Sequence, residues 1–151
     1  DLLGRDAGGR LAAATPTHCE PTDEFAATGK KSMKMSLSSA DHYSEMKDLP
    51  MRANTQHLAM AKILIPADYP PGMARAKIII LGRNANGEAT NYYFTPLVEL
   101  VPGQWTQITT VANPCATAGK GSLLFCVEGM KKGDTAYVDD VVLVELDSAK
   151  K

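Results

Sequence analysis

The chain has 151 residues, enough for one domain with a single core and too few for two of ordinary size. Its 16 Lys and Arg against 17 Asp and Glu leave a net charge of -1, so the broad positive field that draws phosphate backbones is missing and nucleic acid is excluded as a partner. Apolar runs such as 78–81 and 141–144 fall far short of the roughly 20 residues a membrane-spanning helix needs, and no membrane insertion is expected.

The opening residues lack a start Met and the charged-then-apolar layout of a secretion signal, and read as the start of a mature chain or an excised domain. Residues 1–25, rich in Ala, Thr, Gly and Pro, predict an irregular N-terminal segment with room for one edge strand near His18 to Phe25. From 26 to 147, short β-rich runs alternate with turn residues; 148–151 is expected to be a disordered tail.

Ser32 to Ser38 places Met33, Met35 and Leu37 on one face and polar residues on the other, the period of a half-buried strand. His57 to Ile65 predicts a second strand, closed by Pro66 and the sequence Asp68-Tyr69-Pro70-Pro71-Gly72, which cannot continue a ladder. A third, Arg75 to Gly82, runs into Asn84-Ala85-Asn86-Gly87, whose Asn-Gly pair signals a hairpin. The chain returns through Asn91 to Phe94, breaks at Pro96, and resumes at Val98 to Leu100. Pro102-Gly103 suits the centre of a type II turn and leads into Trp105 to Val111. Ser122 to Glu128 and Thr135 to Leu146 complete the set. Roughly seven or eight evenly spaced strands with hardly a helical pattern predict an all-β fold, a jelly-roll β-sandwich of two antiparallel sheets.

The last strand carries Asp139 and Asp140 side by side in an apolar run. Strict alternation sends Val138, Asp140 and Val142 to one face and Tyr137, Asp139 and Val141 to the other, so one acid lies on the buried side. A buried carboxylate must be paired, hydrogen-bonded or bound to a metal. A calcium ion held by hard oxygen ligands and a carboxylate accepting backbone N–H bonds both satisfy that demand. The three cysteines are similarly open: Cys115 and Cys126 can meet across a loop in an oxidising compartment, or Cys126 can be a buried thiol.

Catalytic signatures are missing. The His and Cys residues show no metal-ligand spacing, there is no Gly-x-Ser-x-Gly elbow, and no two acids are marked as facing each other across a cleft. The stretch from Ala27 to Ser32 echoes a phosphate loop, but Glu24 stands where its first glycine belongs and a strand follows in place of a helix.

Four short stretches stand in one order: Gly29-Lys30-Lys31-Ser32 before an alternating strand, Pro102-Gly103-Gln104-Trp105 opening another, Leu123-Leu124-Phe125-Cys126-Val127-Glu128, and Tyr137-Val138-Asp139-Asp140-Val141. This arrangement, over residues 26–146, resembles the jelly-roll carbohydrate-binding modules of families 4, 9 and 22. The resemblance implies a galactose-binding-like sandwich, secreted or at the cell surface, without catalytic activity, that brings an attached glycoside hydrolase to a polysaccharide or oligosaccharide. It also implies a structural Ca2+ held by Asp140, the acid it favours for the buried side, and by the backbone carbonyl of Lys30 or Lys31.

For the sugar, Trp105 after its turn is expected to pack under a loop, whereas Tyr92 and Tyr93 point to opposite faces, so one of them is free for a ligand. The segments Asp41 to Glu45 and Met51 to His57 flank the position where such modules carry sugar contacts, and they contribute Tyr43, Arg52 and His57. Arg83, before the hairpin, has the same standing. Aromatic residues make up only 6% of the chain, which predicts weak binding or selectivity through polar contacts. The competing expectation is a structural or protein-interaction sandwich in a multidomain extracellular protein, in which these side chains are dispersed or buried.

Overall fold

The alternation read in the sequence becomes two antiparallel sheets in the computed structural model, which describes residues 16–39, 41–94, 96–114 and 119–146. The strands are β1 (Cys19–Thr22), β2 (Ser32–Ser36), β3 (Asp41–Pro50), β4 (Gln56–Leu64), β5 (Arg75–Arg83), β6 (Ala89–Phe94), β7 (Val98–Glu99), β8 (Thr106–Ala112), β9 (Lys120–Glu128) and β10 (Thr135–Leu146). The first sheet runs β1-β2-β10-β4-β8, and the second runs β3-β9-β5-β6 with β7 on the end of β5. All regular structure among the described residues is strand, and no helix is long and apolar enough to cross a membrane. The expected all-β sandwich is the fold observed.

Each strand expected from alternation forms, with ends that move by no more than a residue or two. In β4, His57, Ala59, Ala61 and Ile63 point inward; in β5, Ala76, Ile78 and Ile80 do the same. Their apolar members meet Met33, Met35, Leu123, Phe125, Val127 and Val138 in one core between the sheets. The turns behave as their residues demand. Gly103 has a φ of 77° and the N–H of Gln104 bonds the carbonyl of Val101 at 3.1 Å, a type II turn with Pro102 and Gly103 at its centre. At the hairpin the N–H of Gly87 bonds Asn84 at 3.0 Å, with Gly87 in the left-handed region at a φ of 80°.

Two strands lie outside the alternating set. β1 is the edge strand for which the N-terminal segment left room, pairing with β2 in the first sheet. β3 replaces what reads in sequence as a polar loop. Its Asp, Glu and Lys residues are poor strand formers, and two of its inward positions are polar. Pairing with β9 overrides that propensity, because His42 and Ser44 satisfy each other in the interior. The N–H of Ser38 donates to His42 Nδ1 at 3.0 Å, and His42 Nε2 lies 2.7 Å from Ser44 Oγ. Nδ1 is therefore the acceptor and Nε2 the N–H of a neutral ring.

Burial, helped by His18, pushes the His42 imidazole below its ordinary value of 6.5. The unfolded chain then binds the proton more readily, so the stability His42 confers is complete above about pH 6.5 and is lost as the pH falls toward the folded value. Urea midpoints are expected to drop between about pH 7.5 and about pH 5, and His42→Gln to flatten that dependence. An unchanged pH profile in the variant would remove His42 as its cause.

Cys126 is a buried thiol, pushed up to about 11 by its burial, and Cys19 is raised likewise. Cys115 and the tail 148–151 lie outside the described residues.

Candidate functional site

The two sheets differ in what covers their outer faces. On the first, the segment 23–31 lies across β2 and β10 and is tied down strand by strand. Glu24 bridges Lys34 Nζ at 2.7 Å and the hydroxyl of Tyr137 at 3.0 Å, and the ring of Phe25 meets that of Tyr137 edge-on at 4.9 Å. Ser32 Oγ donates to the carbonyl of Phe25 at 2.7 Å. Beneath this strap lies Asp139, fully buried. Its Oδ2 accepts the N–H groups of Ala27 at 2.9 Å and Thr28 at 3.1 Å, and its Oδ1 accepts the N–H of Asp140 at 2.8 Å.

This corrects the assignment of the buried acid. Alternation holds through Asp139 and then fails, because β10 bulges between Asp139 and Val142 and Asp140 turns through a φ of 50°. Val138 and Val141, three residues apart, both enter the core, and both acids lie between them on the outside of the sheet. Asp139 pairs across the sheet with Lys62 and is buried by the strap, whereas Asp140 is half-buried at its rim.

Asp140 Oδ2 accepts the Thr28 hydroxyl at 2.7 Å and pairs with Lys62 Nζ at 3.1 Å. The donor chemistry does not fit a calcium cage. Three N–H groups occupy the oxygens of Asp139, and an ammonium already supplies the positive charge at Asp140. Lys31 sits exposed just before β2. Among the described residues no three His, Cys, Asp or Glu side chains gather to hold a metal. A chelator is expected to leave the Tm unchanged; a Tm that rises with calcium and falls again with chelator would show that the acids open to take the ion.

Among the described residues no such strap crosses the outer face of the second sheet, and its cross-strand rows can be read from the register. One row is Tyr43, Cys126 and Lys77, the next Glu45, Leu124, Ile79 and Phe94, and the next Ser122, Leu81 and Tyr92. Half-buried Ile79, Leu81 and Leu124 form an apolar floor. Tyr92 and Phe94 rise from β6 on one side, 63% and 51% exposed, with rings stacked 6.4 Å apart and 13° from parallel. Tyr43, 56% exposed, rises from β3 on the other side, three strand spacings or about 14 Å away. Between them Glu45 Oε2 accepts Ser122 Oγ at 2.7 Å and Arg83 Nη2 at 3.2 Å, while Arg83 Nη1 donates to the carbonyl of Gly87 at 3.0 Å. Lys77 Nζ lies over the Phe94 ring, 4.5 Å from its centroid.

Of the six residues expected to meet a ligand, three come together here: Tyr43, Arg83 and Tyr92. Tyr93 pairs with inward-facing Ile80 and packs on the core, which settles which of the adjacent tyrosines is exposed. His57 is 2% exposed at the start of β4, where its Nε2 accepts the N–H of Arg52 at 3.3 Å. The exposed Arg52 side chain, in the loop before β4, faces Glu145 of β10 at 3.6 Å, so both lie at the first sheet and away from this face. Trp105, half-buried, precedes β8 in that sheet as well. Phe94, Lys77 and Glu45 join these three on the same face. Alternation alone could have found Phe94, since it shares a face with Tyr92; Lys77 and Glu45 join it only through pairing with distant strands.

No family model matches the sequence, and no curated protein does. Solved structures do. The CBM22-1 xylan-binding domain from Paenibacillus barcinonensis superposes with a TM-score of 0.65 at 16% identity, over 89% of this chain and 86% of that one. A family 16 carbohydrate-binding module gives 0.58 at 19% identity, over 85% of this chain and 86% of that one. The CBM22-1 and GH10 modules of a Clostridium thermocellum endo-1,4-β-D-xylanase, complexed with xylohexaose, give 0.66 at 18% identity, over 88% of this chain and 25% of that longer one. The fold is that of the β-sandwich carbohydrate-binding modules that the sequence resembles.

Proposed function

We propose that this chain is a non-catalytic carbohydrate-binding module that takes a polysaccharide across the outer face of its second sheet and holds an attached secreted enzyme to it. The observation that carries the reading is the gathering of Tyr92, Phe94 and Tyr43 around an apolar floor with an Arg83–Glu45 pair beside it. Flat aromatic faces offer apolar area to the C–H side of a pyranose, and the fixed polar groups orient its hydroxyls. A purely structural spacer has no need of stacked aromatic rings exposed on a sheet face.

The similarity to modules described as xylan-binding, one of them joined to a GH10 module, supports xylan as the first ligand to test and an enzyme as the attached partner. The test is affinity electrophoresis and titration calorimetry with xylan, followed by a glycan array. Modest affinity is expected, since three rings supply few platforms. Failure to bind any polysaccharide would sink the reading in favour of a structural role.

A further inference from the structure

Beside the apolar floor of this face stands Lys77, an ammonium with no ion pair among the described residues. Glu45, the carboxylate among the aromatic rows, is already occupied by Arg83 and Ser122. Lys77 stands one row away, flanked in its row by Cys126 and Tyr43, and lies over Phe94. No ion pair joins it to a carboxylate among the described residues, and its contact is the π face of that ring.

A neutral glycan laid across Phe94 would strip water from this ammonium and return only hydroxyl contacts, whereas an anionic substituent would meet it with a charge-assisted hydrogen bond. The face thus combines aromatic platforms with an ammonium placed over one of them. An overall positive field does not contribute, because the net charge of the chain is -1. We infer that the module selects a polysaccharide bearing anionic groups, with Lys77 reading the charge from its position over Phe94. This rests on the reading of the face as a glycan site and adds the chemical class of the glycan.

A carboxylate on a uronosyl branch and a sulfate ester offer the same chemistry, so the experiment separates them. Affinity is measured for a glucuronic-acid-substituted xylan and its carboxyl-reduced form, and for a sulfated galactan and its desulfated form. At least one anionic polymer is expected to bind about tenfold more tightly than its neutralised derivative, and the preference should shrink as salt is added. Lys77→Met, which keeps an unbranched apolar stem over Phe94, should bind both forms alike. Its thermal melt checks the fold.

A preference confined to one pair names the substituent. Equal affinity for the anionic and neutral members of both pairs, or an unchanged preference in a folded Lys77→Met, overturns the inference and leaves the proposed function standing. Absence of binding to all four polymers overturns the inference, and the proposed function falls with it only if the glycan array shows no polysaccharide bound either.

Discussion

Asp139→Asn is expected to lower the free energy of unfolding by about 3 kcal/mol, against about 1 kcal/mol or less for Asp140→Asn. The two substitutions are chemically identical and one residue apart, so the contrast isolates the environment. The oxygens of Asp139 are the acceptors for the N–H groups of Ala27, Thr28 and Asp140, in a place that water does not reach. An amide there turns an NH2 group toward at least one N–H donor, and a buried donor left unpaired costs roughly 1–3 kcal/mol on top of the lost charge-assisted bond. The strap from 23 to 31 should loosen with it, exposing Tyr137 and weakening the contact of Phe25 on its ring.

At Asp140 the same change costs less. Its carboxylate is partly solvated, an Asn oxygen can still accept the Thr28 hydroxyl, and Asn tolerates the positive φ of the bulge. Urea denaturation of the two variants measures the difference, and limited proteolysis within 23–31 reports the strap. Equal losses would show that the two acids share one environment, against the burial and hydrogen bonds described.

The second large effect concerns the ligand. Replacing both Tyr92 and Phe94 by alanine is expected to abolish measurable polysaccharide binding with little change in stability. Each ring covered by a sugar removes roughly 50 Å2 of apolar area from water, about 1.3 kcal/mol at ~25 cal/mol per Å2. That is about tenfold in affinity per ring and about a hundredfold for the pair. Starting from the modest affinity expected of three platforms, a hundredfold loss passes out of the range of calorimetry.

Tyr93→Ala provides the counter-case. Its ring packs on the core from the opposite face of the same strand, so that variant should lose stability and, where folded, keep its affinity. Full binding by the Tyr92→Ala, Phe94→Ala double variant would place the glycan elsewhere on the molecule.

These residues also show how far local pattern reaches. Strands such as β4 and β5 are legible because a period of two is a property of neighbouring residues: each side chain's face follows from its place in the chain, whatever the strand pairs with. Turns with positive-φ glycines are legible for the same reason, as Pro102-Gly103 and Asn86-Gly87 show. β3 was hidden because its inward His42 and Ser44 look like loop residues until the hydrogen bonds that satisfy them are in place.

By itself, then, the sequence determined the β-sandwich, most of its strands and turns, and a short list of aromatic and basic residues that included Tyr43, Arg83 and Tyr92. The tertiary structure alone decided the rest. A bulge that alternation cannot foresee turned Asp140 out to the rim of the strap beside the buried Asp139, since the extra residue is accommodated only where β10 pairs with β4. Which outer face the strap covers, which of the two tyrosines the other face shows, and that Lys77 lies over Phe94 all depend on the register between strands far apart in the chain. No residue carries that information in its immediate neighbours.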